Sequence, residues 1–133
     1  MPYDKEELEK FRMSGKILRE TREEMRGYVH ENMPIIDVCE KAEGLIRAKG
    51  GKPAFPCNVS INEVAAHYTS PPNDKSTIPE NSTVKVDIGV HIDGYVTDTA
   101  FTACFSAEGR SMANTAEYAL KTATRIHNKL VAD

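Results

Sequence analysis

The sequence predicts an α+β fold in which helices cover one face of an antiparallel sheet. Two observations carry that prediction. Residues 84–105 alternate apolar and polar around an Asp93-Gly94 dipeptide, the signature of a long β-hairpin. Three other stretches, about 4–30, 36–49 and 114–131, repeat apolar residues every three or four positions, as amphipathic helices do. The order is α-α-β-β-α, with irregular extended pieces between the second helix and the hairpin. At 133 residues, the chain is expected to form a single domain over 1–133. A chain of that size buries about two thirds of its extended surface, so its core needs no staple.

In the first helix Leu8, Phe11, Leu18, Met25 and Val29 fall on one stripe, interrupted at Gly15 and Arg22. Glu6 stands one turn before Lys10, the spacing of a helical ion pair. Acidic and basic residues mix on the other faces, which suits a helix laid on a core better than one lying on a membrane. The second helix begins near Pro34 to Asp37, where proline and an acidic side chain suit a first turn. Val38, Ala42, Leu45 and Ile46 are its buried stripe, and Gly50-Gly51 ends it. Pro53, Pro56, Pro71, Pro72 and Pro79 then break up the chain, leaving short extended pieces at Val59–Ile61 and Ala65–Thr69. The third helix is expected to start at Asn114, with Glu117 completing a capping box. Its stripe is Ala116, Ala119, Leu120, Ala123, Ile126 and Leu130.

Composition excludes several functions. Seventeen basic and twenty acidic residues give a net charge of -3, which argues against a nucleic-acid grip. No apolar run approaches the roughly 20 residues of a membrane span. The N-terminus MPYDKEELEK is charged and lacks the apolar core of a secretory signal, so the expected compartment is the cytoplasm. Cys39, Cys57 and Cys104 are odd in number and far apart in sequence, which is neither a disulfide framework nor a zinc knuckle.

The hairpin carries the chemistry. With Asp93-Gly94 as a two-residue type I′ turn, Ile92 pairs with Tyr95, Asp87 with Ala100 and Gly89 with Asp98. Asp87 and Asp98 then share one face as diagonal neighbours, roughly 7–8 Å apart at the backbone. Their opposite partners, Gly89 and Ala100, are the smallest residue types and leave space between the carboxylates. The other face, with Val84, Val86, Ile88, Val90, Ile92, Tyr95, Phe101 and Phe105, is the core face. Two facing carboxylates with no base between them repel when bare and are favourable around a divalent cation. Acidic residues on the solvated face of a hairpin are also common, so the geometry alone leaves both readings open. His91 faces the same side nearer the turn, as a weaker third ligand or an exposed side chain. His67 stands in an apolar stretch, either as a hydrogen-bonded packing residue or as an acid/base or substrate-holding group.

Three segments together resemble the methionine aminopeptidases, most closely type 2, the archaeal and eukaryotic branch. They are Ala54-Phe55-Pro56-Cys57-Asn58-Val59-Ser60-Ile61-Asn62-Glu63-Val64-Ala65-Ala66-His67-Tyr68-Thr69, the run Val86–Gly94, and Thr97–Thr102. The eleven-residue step from Asp87 to Asp98 and the twenty-residue step from His67 to Asp87 match that family. The Asp-to-Asp step is shared with prolidases and proline aminopeptidases, the nearest enzymatic alternative, and the segment around His67 argues against them. The resemblance implies the first half of a pita-bread (creatinase/aminopeptidase) fold. It implies removal of the N-terminal methionine from peptides and nascent proteins with a small second residue. Asp87 and Asp98 would be metal ligands, Asp98 shared between two ions and Asp87 on one. His67 would contact the substrate and assist cleavage, and Phe55 would line the methionine pocket. The cofactors implied are two divalent ions per complete site, of manganese, cobalt, iron or zinc, which lower the pKa of bound water.

One departure is equally specific. The family site takes five protein ligands, and nothing after Asp98 matches the remaining histidine and two glutamates; the only later histidine is His127, on the last helix. The chain therefore reads as half a metal site, inactive alone: a fragment, a truncated reading frame or one piece of a split enzyme, with a second half or second copy as partner. The alternative is a non-catalytic pita-bread-like binding module.

Overall fold

The elements follow the predicted order. In the computed structural model, which describes residues 3–132, they are α1 (Lys5–Tyr28), α2 (Ile35–Ala48), β1 (Lys52–Pro53), β2 (Asn58–Ile61), β3 (Thr83–Ile92), β4 (Tyr95–Cys104) and α3 (Ala107–Ala132). Asp4 opens α1 with a reciprocal cap. Its carboxylate accepts the Glu7 N–H at 2.9 Å, and the Glu7 carboxylate accepts the Asp4 N–H at 2.8 Å. One turn on, Lys10 pairs with Glu6 at 3.0 Å, as their spacing predicts. The buried face of α1 is Ser14, Ile17, Leu18, Thr21 and Met25. It is rotated from the predicted stripe, leaving Leu8 and Phe11 half-buried. The cause is Ser14, whose hydroxyl donates to the Val90 carbonyl at 2.9 Å and hydrogen-bonds the Thr97 hydroxyl at 2.7 Å. These bonds satisfy a buried polar group and dock α1 on the hairpin. α2 follows Pro34 and ends at Gly50, whose φ of 93° is one that glycine adopts without strain.

The sheet is antiparallel throughout, with β3 in its middle. β4 pairs along all of β3, so β1 and β2 lie end to end on its other edge. α1 packs across β3 and β4, and α2 covers β1 and β2. Val84, Val86, Ile88, Val90 and Phe101 face these helices and join Met25, Val38, Ile46 and Ile78 in one core. This is the predicted core face, with Ile92 and Phe105 packed at its margin.

Two expectations are corrected. Ala65–Thr69 is not a strand. Asn62 and His67 take left-handed backbone angles (φ 52° and 68°) that interrupt any ladder, although the Val59 N–H donates to the Tyr68 carbonyl at 2.7 Å. α3 starts at Ala107, not at Asn114, because the Ser106 hydroxyl accepts the Gly109 N–H at 3.0 Å and so caps the helix earlier. Asn114 lies inside the helix. The apolar stripe of α3 does not cover the sheet: Leu120, Ile126 and Leu130 are 68%, 52% and 71% exposed. No helix among the described residues is long and apolar enough to cross a membrane.

Candidate metal centre

Asp93 and Gly94 both have positive φ, 50° and 87°, as a type I′ turn requires. That turn sets the pairing of Asp87 with Ala100 and of Gly89 with Asp98, the register predicted from the sequence. Side chains alternate across a strand, so Asp87 and Asp98 lie together on the face turned away from α1 and α2. Asp98 is diagonal to Asp87 across the β3–β4 pair, near enough for its charge to act on the Asp87 carboxyl. Burial and then the charge of Asp98 push the Asp87 carboxyl above the usual carboxylate range, while the charge of His67 pulls the other way. Asp87 Oδ1 is buried with no hydrogen-bond partner. An unpartnered buried oxygen beside a second carboxylate is costly by itself and well suited to a cation.

Three further segments converge on this pair. Asn58, at the start of β2, stands directly opposite Asp87. The Phe55 ring lies on Gly89, between the two aspartate positions; a Cβ at Gly89 would overlap Cε1 of that ring. The space that the small Gly89 was expected to leave open is therefore filled by Phe55. His67 sits close enough for its charge to act on Asp87, on an exposed strap after β2. Asp74 ties that strap down by accepting Tyr68 Oη at 3.1 Å, Ser70 Oγ at 2.6 Å and the Ser76 N–H at 2.9 Å. Those donors hold the Asp74 carboxyl well below its ordinary range.

His91 does not join the site. Its Nδ1 accepts the Gly94 N–H at 3.1 Å, which commits the ring to the hairpin turn. Among the described residues no three histidine, cysteine, aspartate or glutamate side chains cluster closely enough to hold a metal ion. A groove of about 330 Å³ runs along the β4 edge of the sheet, between α3 and the Arg22 and Arg26 side of α1.

Sequence reasoning missed Asn58, the Asp74 anchor and the contact between Cys39 and Cys57. Each depends on how a long irregular segment returns to the sheet, and no local spacing signals it.

The sequence profile of metallopeptidase family M24 matches residues 9–131. The chain belongs to that family. It is 48% identical over 95 residues to a methionine aminopeptidase of Methanothermobacter thermautotrophicus, covering 71% of this chain and 32% of that protein. It is 43% identical over 117 residues to the methionine aminopeptidase of Methanocaldococcus jannaschii, covering 88% and 40%. The chain thus spans between about a third and a half of the curated relatives it matches, half for the Methanothermus fervidus protein. The fold matches the methionine aminopeptidase of Thermotoga maritima with TM-score 0.82 at 23% identity, over 92% of this chain and 53% of that one. It matches a prolidase of Pyrococcus furiosus with TM-score 0.66 at 21% identity, over 78% and 31%. This M24 chain therefore has part of the pita-bread fold. M24 membership implies a divalent metal cofactor, and the two carboxylates, one with an orphaned buried oxygen, fit such an ion.

Proposed function

We propose that this chain provides the Asp87–Asp98 part of a methionine aminopeptidase site, acting on peptide and nascent-protein N-termini whose second residue is small. The observation that carries the reading is the buried, unpartnered Oδ1 of Asp87 beside Asp98, with Phe55 over Gly89 between them. Asp87 and Asp98 hold metal, Phe55 lines the pocket for the methionine side chain, and His67 contacts the substrate near the scissile amide. Divalent ions bound there, of manganese, cobalt, iron or zinc and two in a complete site, supply Lewis acidity and water of lowered pKa. Phe55 also excludes water from one side of the carboxylate pair, which strengthens their electrostatic grip.

Two carboxylates leave most coordination positions of an ion to other groups. This chain alone is therefore expected to bind Mn(II) or Co(II) weakly and to release no methionine from a Met-Gly peptide. Calorimetric titration of wild type and Asp98→Asn, with the mass in solution measured alongside, tests this. Tight stoichiometric binding and turnover would replace the half-site reading with one in which a second copy completes the site.

The exposed apolar stripe of α3 favours a second reading, a non-catalytic binding module. Under that reading Asp87→Asn and Asp98→Asn alter neither stability nor ion binding.

A further inference from the structure

Two thiols that stand 18 residues apart in sequence meet where α2 crosses the loop before β2. Cys39 Sγ donates to the Cys57 carbonyl at 3.4 Å, which brings the Cys39 sulfur against the Cys57 residue. The Cys57 backbone is fixed from two more sides. Its N–H donates to Glu43 Oε1 at 3.1 Å, and its carbonyl accepts the Thr69 hydroxyl at 2.9 Å. Cys39 is 7% exposed and borders a surface pocket of about 430 Å³ walled by Glu40, Glu43, Pro56 and Ser70. Cys57 lies behind it at 1%. The two therefore differ in access while sharing a contact.

They differ in acidity as well. The contact with Cys57 draws the Cys39 thiol below its ordinary value, which favours its thiolate. The same contact and burial push the Cys57 thiol far up, so it keeps its proton. Cys104, on β4, has its thiol raised by burial.

We propose that Cys39 and Cys57 are an oxidation site for hydrogen peroxide, with Cys39 the attacking and Cys57 the resolving thiol. The Cys39 thiolate attacks one peroxide oxygen. The O–O bond breaks, Cys39 becomes a sulfenic acid, and the departing hydroxide takes up a proton to give water. With the Cys39 charge removed by oxidation, the Cys57 thiol gives its proton to the departing hydroxyl as its sulfur attacks the Cys39 sulfur. An S–S bond forms as the S–O bond breaks, and a second water leaves with the Cys57 proton. Two electrons pass from the two sulfurs to one peroxide. The disulfide ties α2 to the loop that carries Phe55.

Peptide mapping of the folded chain after peroxide treatment and alkylation tests this. The expected result is a loss of two hydrogens, a reducible link between the Cys39 and Cys57 peptides, and an alkylated Cys104. In Cys57→Ser, Cys39 persists as a sulfenic acid that dimedone traps, and Cys39→Ser gives neither product. Oxidation of Cys104 before the pair, a Cys39 sulfinic acid with Cys57 still reduced, or both thiols still alkylatable after treatment would overturn the proposal. The wild-type map decides the matter even where a variant fails to fold.

Discussion

On β3, neighbouring residues meet opposite surroundings. Val86, Ile88 and Val90 are buried under the helices, whereas Asp87 and Gly89, one step away, face the other side with the Phe55 ring packed on the glycine. On one face burial stabilises the fold, at about 1.5–3 kcal/mol for a fully buried aliphatic side chain. On the other, a desolvated carboxyl beside a second carboxyl opposes folding. Because the strand period is two, the residues that build the core and those that carry the site alternate along the same strand.

The largest effect expected is on the buried face. Ile88→Ala deletes a side chain that is 1% exposed and should lower stability by about 2–5 kcal/mol in urea unfolding. A loss too small to measure would erase the contrast between the faces. Next comes Gly89→Ala, whose methyl must displace the Phe55 ring, at about 1–3 kcal/mol. In the double variant with Phe55→Ala the two effects should be clearly non-additive, since the clash disappears with the ring. Additive effects would mean that Phe55 does not rest on Gly89.

Asp87→Asn should act in the opposite direction and raise the melting temperature in metal-free buffer at neutral pH. The folded carboxyl binds its proton more tightly than the unfolded one, whose ordinary value is 3.8. Ionisation therefore penalises the folded state. The penalty is absent well below 3.8, grows as pH rises from 3.8 to the raised folded value, and is complete above that value. The gain of the variant should follow the same curve. A variant less stable than wild type at neutral pH and no different in acid would show that the pair does not repel.

The smallest effect belongs to α3. Leu130→Ala should change stability by no more than about 0.5 kcal/mol, and α3 amides should exchange with solvent faster than those of α1. α1 and α3 carry similar apolar stripes, yet Met25 is fully buried and Leu130 is 71% exposed. Periodicity tells which side of a helix can be buried. It does not tell whether anything lies against that side.

The sequence by itself determined the hairpin, its register and the shared face of Asp87 and Asp98. A two-residue turn and a period of two are local, and together they leave one pairing that keeps the valines inside. It also determined the presence of α1 and α2, and the end of α2 at Gly50-Gly51. The segment resemblance extended this to Phe55 and His67, which no periodicity singles out.

Only the tertiary structure decided what meets this frame. Between Ile61 and Thr83 the chain runs through a strap without regular elements, so no turn fixes how β2 pairs with β3. That pairing places Asn58 opposite Asp87, and the path before it lays Phe55 on Gly89 and Cys57 against Cys39. The start of α3 turned on one hydroxyl, that of Ser106, and its exposure on the lack of an apolar surface facing it. These outcomes depend on contacts between residues distant in sequence, whose energies exist only once the intervening chain has been ordered.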